Sequence, residues 1–231
     1  MSARARLAVL ISGNGSNLQA ILDACAAGTV DAEVVLVLSN RPGAYGLERA
    51  RRAGVEVDVL DHRDFDGRAS FDEALAGRLA QAEPDFIALA GFMRILTPAF
   101  VSRFTGRMIN IHPSLLPRHP GLDTHARALA AGDAEHGCSV HFVTPEVDGG
   151  PVIIQGVMSM PECDDPDILK ARVHALEHQV YPQALAWLTA GCLSMDAEGS
   201  VRWDGQVVTA PARLDETGRL CPPRTVPPDL A

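Results

Sequence analysis

Short, largely apolar runs recur along the first half of this chain, separated by stretches of helical periodicity. The runs are Leu7 to Ile11, Val34 to Leu38, Phe86 to Leu89 and Met108 to Ile111. Apolar runs this short, with no alternation, predict strands buried on both faces. Between the first two, Leu18, Ile21, Leu22 and Cys25 recur at i, i+3, i+4, i+7, the period of an amphipathic helix. Gly46 to Ala53 reads as a further helix stopped by Gly54, Val55 to Leu60 as a strand, Phe71 to Ala82 as a helix, and Thr97 to Phe104 as a short one. Strands alternating with helices predict an α/β fold built on a mainly parallel twisted sheet, with helices on both faces.

Beyond Ile111 the pattern loosens. A Pro/Gly-rich loop runs from Pro113 to Gly121, and Ser139–Val143 and Val152–Met158 read as strands. Leu169, Val173, Leu176 and Val180 share one face of a long helix, which Pro182 is expected to kink or split. A hairpin is expected around Gly199 or Gly205, followed by a mobile tail rich in proline (Pro222, Pro223, Pro227, Pro228). With no repeat and no linker, residues 1–200 read as one domain and 201–231 as a hairpin remnant and Pro-rich tail.

Composition narrows the class of ligand. The 231 residues carry a formal net charge of −9, with Lys170 the sole lysine. An acidic chain without a long basic run does not suit nucleic acid, so anionic ligands must be held by helix N-termini and single arginines. The five cysteines (Cys25, Cys138, Cys163, Cys192, Cys221) form no C-x-x-C pair, which fits a reducing compartment. The apolar run after the first arginines ends at Ser12-Gly13, too soon for a signal peptide or a membrane span. A cytoplasmic location is expected, with no membrane partner.

Two segments carry chemistry. Ser12-Gly13-Asn14-Gly15-Ser16-Asn17 joins a predicted strand to a predicted helix, where free backbone N–H groups make an anion site. Ser16 and Asn17 add donors and are candidates to cap the helix. The plainer reading is a tight turn. A dinucleotide site is a rival, but Leu18 stands where its third glycine belongs, and Ser39, Asn40 and Arg41 replace the acid of an NAD site. Arg41 keeps an NADP reductase open, while the lack of a Tyr-x-x-x-Lys pair counts against it.

The second segment is Met108 to Pro117. Asn110 and His112, two apart on one strand, project from the same face at a carboxyl end, where open α/β sheets bind ligands. An amide beside an imidazole suits polarising a carbonyl and stabilising an oxyanion. Asp148, in Val147-Asp148-Gly149-Gly150-Pro151, offers a carboxylate that favours the charged imidazole. Singly, His112 also reads as a structural histidine and Asp-Gly-Gly as a turn. His119, His125, His136 and His141 raise the question of zinc, but no pair has the helical spacing of H-E-x-x-H and no cysteine pair helps, so no metal is expected.

Taken together, Ile11–Ile21, Ala90–Leu96, Asn110–Pro117, Ser139–Val143 and Asp148–Val152 resemble, in order, the segments of the folate-dependent phosphoribosylglycinamide formyltransferases, over about residues 6 to 190. The Asn-x-His plus Asp set is common to folate formyltransferases; the Gly-rich loop and Gly91-Phe92-Met93-Arg94 narrow the family. The resemblance implies a Rossmann-like formyltransferase fold and Asn110, His112 and Asp148 as catalytic residues. It implies a ribonucleotide site of Gly15, Ser16 and Asn17 at the phosphate with His174, Ala175, Leu176 and Glu177. It implies a folate site of Arg68, Met93, Arg94, Ile95, Leu96, Asn110, Thr144, Pro145, Glu146, Val147 and Asp148. The substrates implied are glycinamide ribonucleotide and 10-formyltetrahydrofolate, the latter as a cosubstrate in purine biosynthesis.

From the residues alone, Glu177 reads as a solvated helix carboxylate, Arg68 as a surface charge, and the Met93–Leu96 segment as an ordinary connection packed into the core. Asp123 and Ala126 depart from the family, which has a histidine and an arginine there, and the tail after Gly199 is longer. A formyltetrahydrofolate hydrolase would use the same three residues with water, behind an extra N-terminal domain. A methionyl-tRNA formyltransferase would add an RNA-binding domain. A non-enzymatic phosphate- or folate-binding module would not need His112 with Asp148.

Overall fold

Strand β1 (Ala5–Ile11) is shielded from solvent without interruption from Leu7 to Ile11. A computed structural model describes residues 3–160 and 165–226, in two compact units, Met1–Asn110 and Ile111–Ala231. In the first unit β1 is followed by α1 (Ser16–Ala26), β2 (Ala32–Ser39), α2 (Gly46–Arg52), β3 (Val57–Val59), α3 (Arg68–Ala82), β4 (Phe86–Leu89), α4 (Pro98–Arg103) and β5 (Met108–His112). The strands pair in parallel in the order β5-β4-β1-β2-β3. Parallel neighbours need crossover connections, which the intervening helices supply. The fold is mixed α/β on a mainly parallel sheet, as the alternation predicts.

Two glycines set how closely this unit closes. Gly15 adopts φ 74°, in the left-handed region, immediately before α1. A Cβ on Gly15 would lie 2.7 Å from the Gly46 Cα, and one on Gly46 would lie 2.5 Å from Ile11 Cδ1. The Gly46 N–H donates to the Gly13 carbonyl at 3.1 Å. Glycine is therefore required here for backbone approach as well as for the turn.

In the second unit the elements are α5 (Thr124–Ala131), β6 (Glu135–Phe142), β7 (Val152–Ser159), α6 (Pro166–Thr189), β8 (Leu193–Met195), β9 (Val201–Trp203), β10 (Gln206–Ala210), β11 (Ala212–Asp215), β12 (Leu220–Cys221) and β13 (Arg224–Val226). Strand β7 pairs antiparallel with β6 and parallel with β11, and β11 pairs antiparallel with β12. A separate antiparallel sheet has the order β13-β10-β9-β8.

Several expectations are corrected. Periodicity does not predict α5, because its alanine-rich sequence carries too few large apolar residues to show a period. Pro182 does not split α6, which is continuous from Pro166 to Thr189. The proline removes a helical donor, a cost of about 3 kcal/mol. Val180, Tyr181, Ala184 and Leu185 are all fully buried around it, and each large side chain contributes about 1.5–3 kcal/mol, so packing outweighs the defect. Pro222 and Pro223 do not belong to a loose tail: they link β12 to β13, which pairs with β10. Pro227 and Pro228, like Cys163, lie outside the described residues. Ser16 and Asn17 lie within α1, and no side chain caps it, because Gly15 occupies the cap position.

Gly156 on β7 gives α6 its seat. A Cβ there would lie 2.9 Å from Leu176 Cβ and 3.0 Å from Cys138 Sγ. Gly156→Ala is expected to destabilise the protein by about 1–3 kcal/mol through overpacking, read as a lower urea midpoint with unchanged far-UV circular dichroism. An unaltered midpoint would show that the helix seat is slack.

Candidate active site

Strand β5 delivers Asn110, half-buried, and His112, only 5% exposed, from alternate positions of one strand. The chain then enters a loop held from within. The buried Ser114 hydroxyl donates to the Arg118 carbonyl at 2.6 Å. The Ser139 hydroxyl donates to the Ser114 carbonyl at 2.7 Å and accepts from the Leu116 N–H at 3.0 Å. Gln155 Nε2 donates to the Leu116 carbonyl at 2.9 Å. A loop so tied fixes the side chain that precedes it.

Asp148 comes from the loop between β6 and β7. It adopts φ 52°, a left-handed conformation that aspartate tolerates better than most residues. The loop is closed by the Phe142 N–H donating to the Pro151 carbonyl at 3.1 Å. A Cβ on Gly150 would overlap the Phe142 carbonyl oxygen at 1.8 Å, so only glycine fits there. Asp148 Oδ2 accepts from the Gly121 N–H at 2.8 Å and lies 3.4 Å from His112 Nδ1. Its Oδ1 lies 3.8 Å from His141 Nε2. On the other side of the His112 ring, Nε2 is 3.0 Å from the His119 carbonyl oxygen. Both nitrogens of His112 thus face acceptor oxygens, and the imidazolium is the form in which both donate.

The sequence reading joined His112 to Asp148 but passed over His119, Gly121 and His141 as neighbours. His141 is buried, and burial pushes its imidazole below the ordinary value despite the Phe142 carbonyl and Asp148. The Asn-x-His pattern has no counterpart that would mark these three; His119 and Gly121 come from the loop after β5, and His141 from the end of β6. Among the family departures, Asp123 takes φ 57° just before α5. Arg127, one position beyond Ala126, braces the same loop by donating to the Pro120 and Leu122 carbonyls.

On α6, His174 stacks on His178 with ring centroids 6.4 Å apart, Ala175 is exposed, and Leu176 packs into the core against Gly156. Glu177 is only 4% exposed, which corrects the reading of a solvated carboxylate. Thr144 is half-buried, while Pro145, Glu146 and Val147 are exposed at the outside of the Asp148 loop.

In the first unit, Gly15, Ser16 and Asn17 form the opening of α1, whose first amides have no partner within the helix. The Ser12 hydroxyl donates to Asn40 Oδ1 at 2.5 Å and accepts from the Met93 N–H at 2.7 Å, so the loops after β1, β2 and β4 are tied together. Beyond that tie, Met93 and Ile95 are 56% and 54% exposed, whereas Leu96 is buried. The two exposed side chains correct the reading of a segment simply packed into the core. The Arg94 guanidinium lies 4.3 Å from the Phe71 ring centroid. Arg68 is exposed at the start of α3. Arg41 lines a cleft of about 400 Å³ with Ser12 and Asp61, but Asp61 is already paired with Arg63. Among the described residues, no group of three or more His, Cys, Asp or Glu side chains is placed to hold a metal ion. No helix among them is long and apolar enough to cross a membrane.

A family model described as formyl transferase matches residues 5–185. The chain is 52% identical over 200 residues to a phosphoribosylglycinamide formyltransferase of Escherichia coli (strain K12), covering 87% of this chain and 94% of that protein. It is 49% identical to part of the trifunctional purine biosynthetic protein adenosine-3 of Drosophila melanogaster, covering 85% of this chain and only 15% of that longer protein. The structure of the phosphoribosylglycinamide formyltransferase of Coxiella burnetii superposes with a TM-score of 0.85 at 49% identity, covering 89% of this chain and 96% of that one.

A second histidine pair makes the second unit sensitive to acid. His125 Nδ1 lies 3.0 Å from His136 Nε2. Burial, with His125 and His119 adding to it, pushes His136 down to about 4. His125 is lowered by burial and then by His174, Lys170 and His112. Unfolding returns His136 toward its ordinary 6.5, so between that pH and about 4 the unfolded chain binds more protons. The stability this ring contributes is complete above pH 6.5 and is lost as the pH falls toward 4. The urea midpoint is expected to drop across that window, with a shallower slope in His136→Gln; equal slopes would assign the acid sensitivity to other groups.

Proposed function

This chain belongs to the formyl transferase family, and we propose that it moves the formyl group of 10-formyltetrahydrofolate onto the amine of phosphoribosylglycinamide. The products are formylglycinamide ribonucleotide and tetrahydrofolate, as a step of purine biosynthesis. The observation that carries the reading is the His112 imidazole set 3.4 Å from Asp148, on the strand that also bears Asn110.

In the proposed reaction the neutral amine of the ribonucleotide attacks the formyl carbon. The Asn110 amide donates to the oxyanion that forms on the carbonyl oxygen, and the His112 imidazolium, whose two N–H groups face Asp148 and the His119 carbonyl, stabilises it by its positive charge. Asp148 maintains the charge on His112 and, through a water, relays the proton released by the attacking nitrogen toward the folate nitrogen. The bond from that nitrogen to the formyl carbon then breaks, and the carbonyl reforms on the product. Because the attacking amine must be unprotonated, rate falls at low pH.

The binding residues follow from the family. Gly15, Ser16 and Asn17 take the phosphate through the first amides of α1, and His174 to Glu177 take the rest of the ribonucleotide. Arg68, Met93, Arg94, Ile95 and Leu96 take the folate together with Asn110 and the Thr144–Asp148 loop. Exposed Met93 and Ile95 support that assignment, since apolar side chains left open beside ordered polar ones suit a flat heteroaromatic ring. The partners are small molecules rather than nucleic acid or membrane. A cytoplasmic setting is supported by the four described cysteines, Cys25, Cys138, Cys192 and Cys221, which are all free.

The first measurement is folate deformylation followed by absorbance, with and without the ribonucleotide. Turnover that requires the ribonucleotide supports the transferase; turnover with water alone would favour a hydrolase on the same three residues. Asp148→Asn keeps the shape and an acceptor for the Gly121 N–H but removes the charge. It is expected to lower kcat by about 10²–10³-fold while both ligands still bind by calorimetry. Lost binding would assign Asp148 a structural role instead.

A further inference from the structure

We propose that His119 and Asp133 act as a positioning pair for His112, holding the peptide oxygen that orients the imidazole on the side opposite Asp148. The proposal rests on the reading of His112 as catalytic.

The His119 carbonyl is the acceptor for His112 Nε2 at 3.0 Å, and it also accepts from the Ser114 hydroxyl at 3.2 Å. With Asp148 at Nδ1, the ring is gripped at both nitrogens, and a shift of either acceptor turns it. Both acceptors sit on loop residues in the left-handed region, each at φ 52°. That conformation is unfavourable for a residue with a Cβ, and it persists where the surroundings impose it.

For Asp148 the imposing contacts are the Gly150–Phe142 approach and the Gly121 amide. For His119 they come from its own side chain. His119 Nε2 lies 2.7 Å from Asp133 Oδ2, and the two side chains are only 14% and 15% exposed. Asp133 follows Gly132, which ends α5 in a left-handed turn, and its N–H donates to the Ala128 carbonyl at 3.3 Å. Its second oxygen is 3.6 Å from Arg118 Nη1. A carboxylate anchored at a helix end thus secures an imidazole, whose backbone oxygen aims the next imidazole. His119 touches no reacting atom in this scheme; it acts through His112.

The test compares His119→Ala, His119→Gln, Asp133→Ala and the double alanine variant, with His112→Ala in parallel. Misaligning a catalytic group costs about ten- to a hundredfold, so His119→Ala is expected to lower kcat by that factor with both KM values nearly unchanged. His119→Gln, whose amide N–H can still reach Asp133, should recover most of the loss. The double variant should be no worse than the worse single one, because the two residues act as a unit. In the resting protein, the ring ¹⁵N resonances of His112 should shift in His119→Ala and Asp133→Ala, a readout that mere loss of stability does not move. Wild-type kcat in His119→Ala, unshifted His112 resonances, or additive losses in the double variant would each overturn the positioning role. Full turnover in His112→Ala would instead overturn the catalytic reading on which the proposal rests.

Discussion

Parallel pairing of fully buried strands forces each connection in the first unit to cross back before the next strand begins. Every strand of that unit therefore ends on the same side, and the segments after β1, β2 and β4 open together. The Ser12 hydroxyl turns this shared edge into one structure by bonding Asn40 and the Met93 amide at once. The glycines of the first loop serve the same closure, since Gly15 and Gly46 meet backbone to backbone. Residues suited to hold small ligands are thus displayed by loops whose placement is a consequence of burying the strands.

In the second unit the governing constraint is electrostatic. The His112 and Asp148 side chains are both largely withdrawn from water, and polar groups left without partners in such places are costly. They are tolerated because each is paired and further hydrogen-bonded: Asp148 with the Gly121 amide, His112 with the His119 carbonyl. The same network fixes the orientation of the His112 ring, which the proposed role in stabilising an oxyanion requires. The geometry on which the proposed catalytic role rests and the solution to a burial problem are here the same set of bonds.

The neighbouring histidines show how environment separates chemically identical side chains. His136 and His141 are driven toward neutrality mainly by burial. His112 instead has an acceptor oxygen at each ring nitrogen, from Asp148 and from the His119 carbonyl. The Asn110-x-His112 spacing marks His112 in the sequence, but nothing local separates His136 from His141.

Strand positions, the parallel class and the helices that cross over were legible because buried strands and amphipathic helices repeat with periods that composition cannot disguise. Phe86–Leu89 is recovered to the residue, and Asn110 with His112 was marked by spacing on one strand. Glycines at loops were legible as a requirement for turning, but not the close contacts that require Gly150 beside Phe142 and, within β7, Gly156 beneath α6. The continuity of α6 through Pro182, the existence of α5 and the pairing of β13 with β10 depend on packing between distant segments, which overrides local propensity. So do the burial of Glu177 and the meeting of Asp148 with Gly121 and His141, whereas its pairing with His112 was expected. A linear pattern carries the periods that bury apolar surface; the distances between charged atoms from separate loops exist only once that surface has been buried.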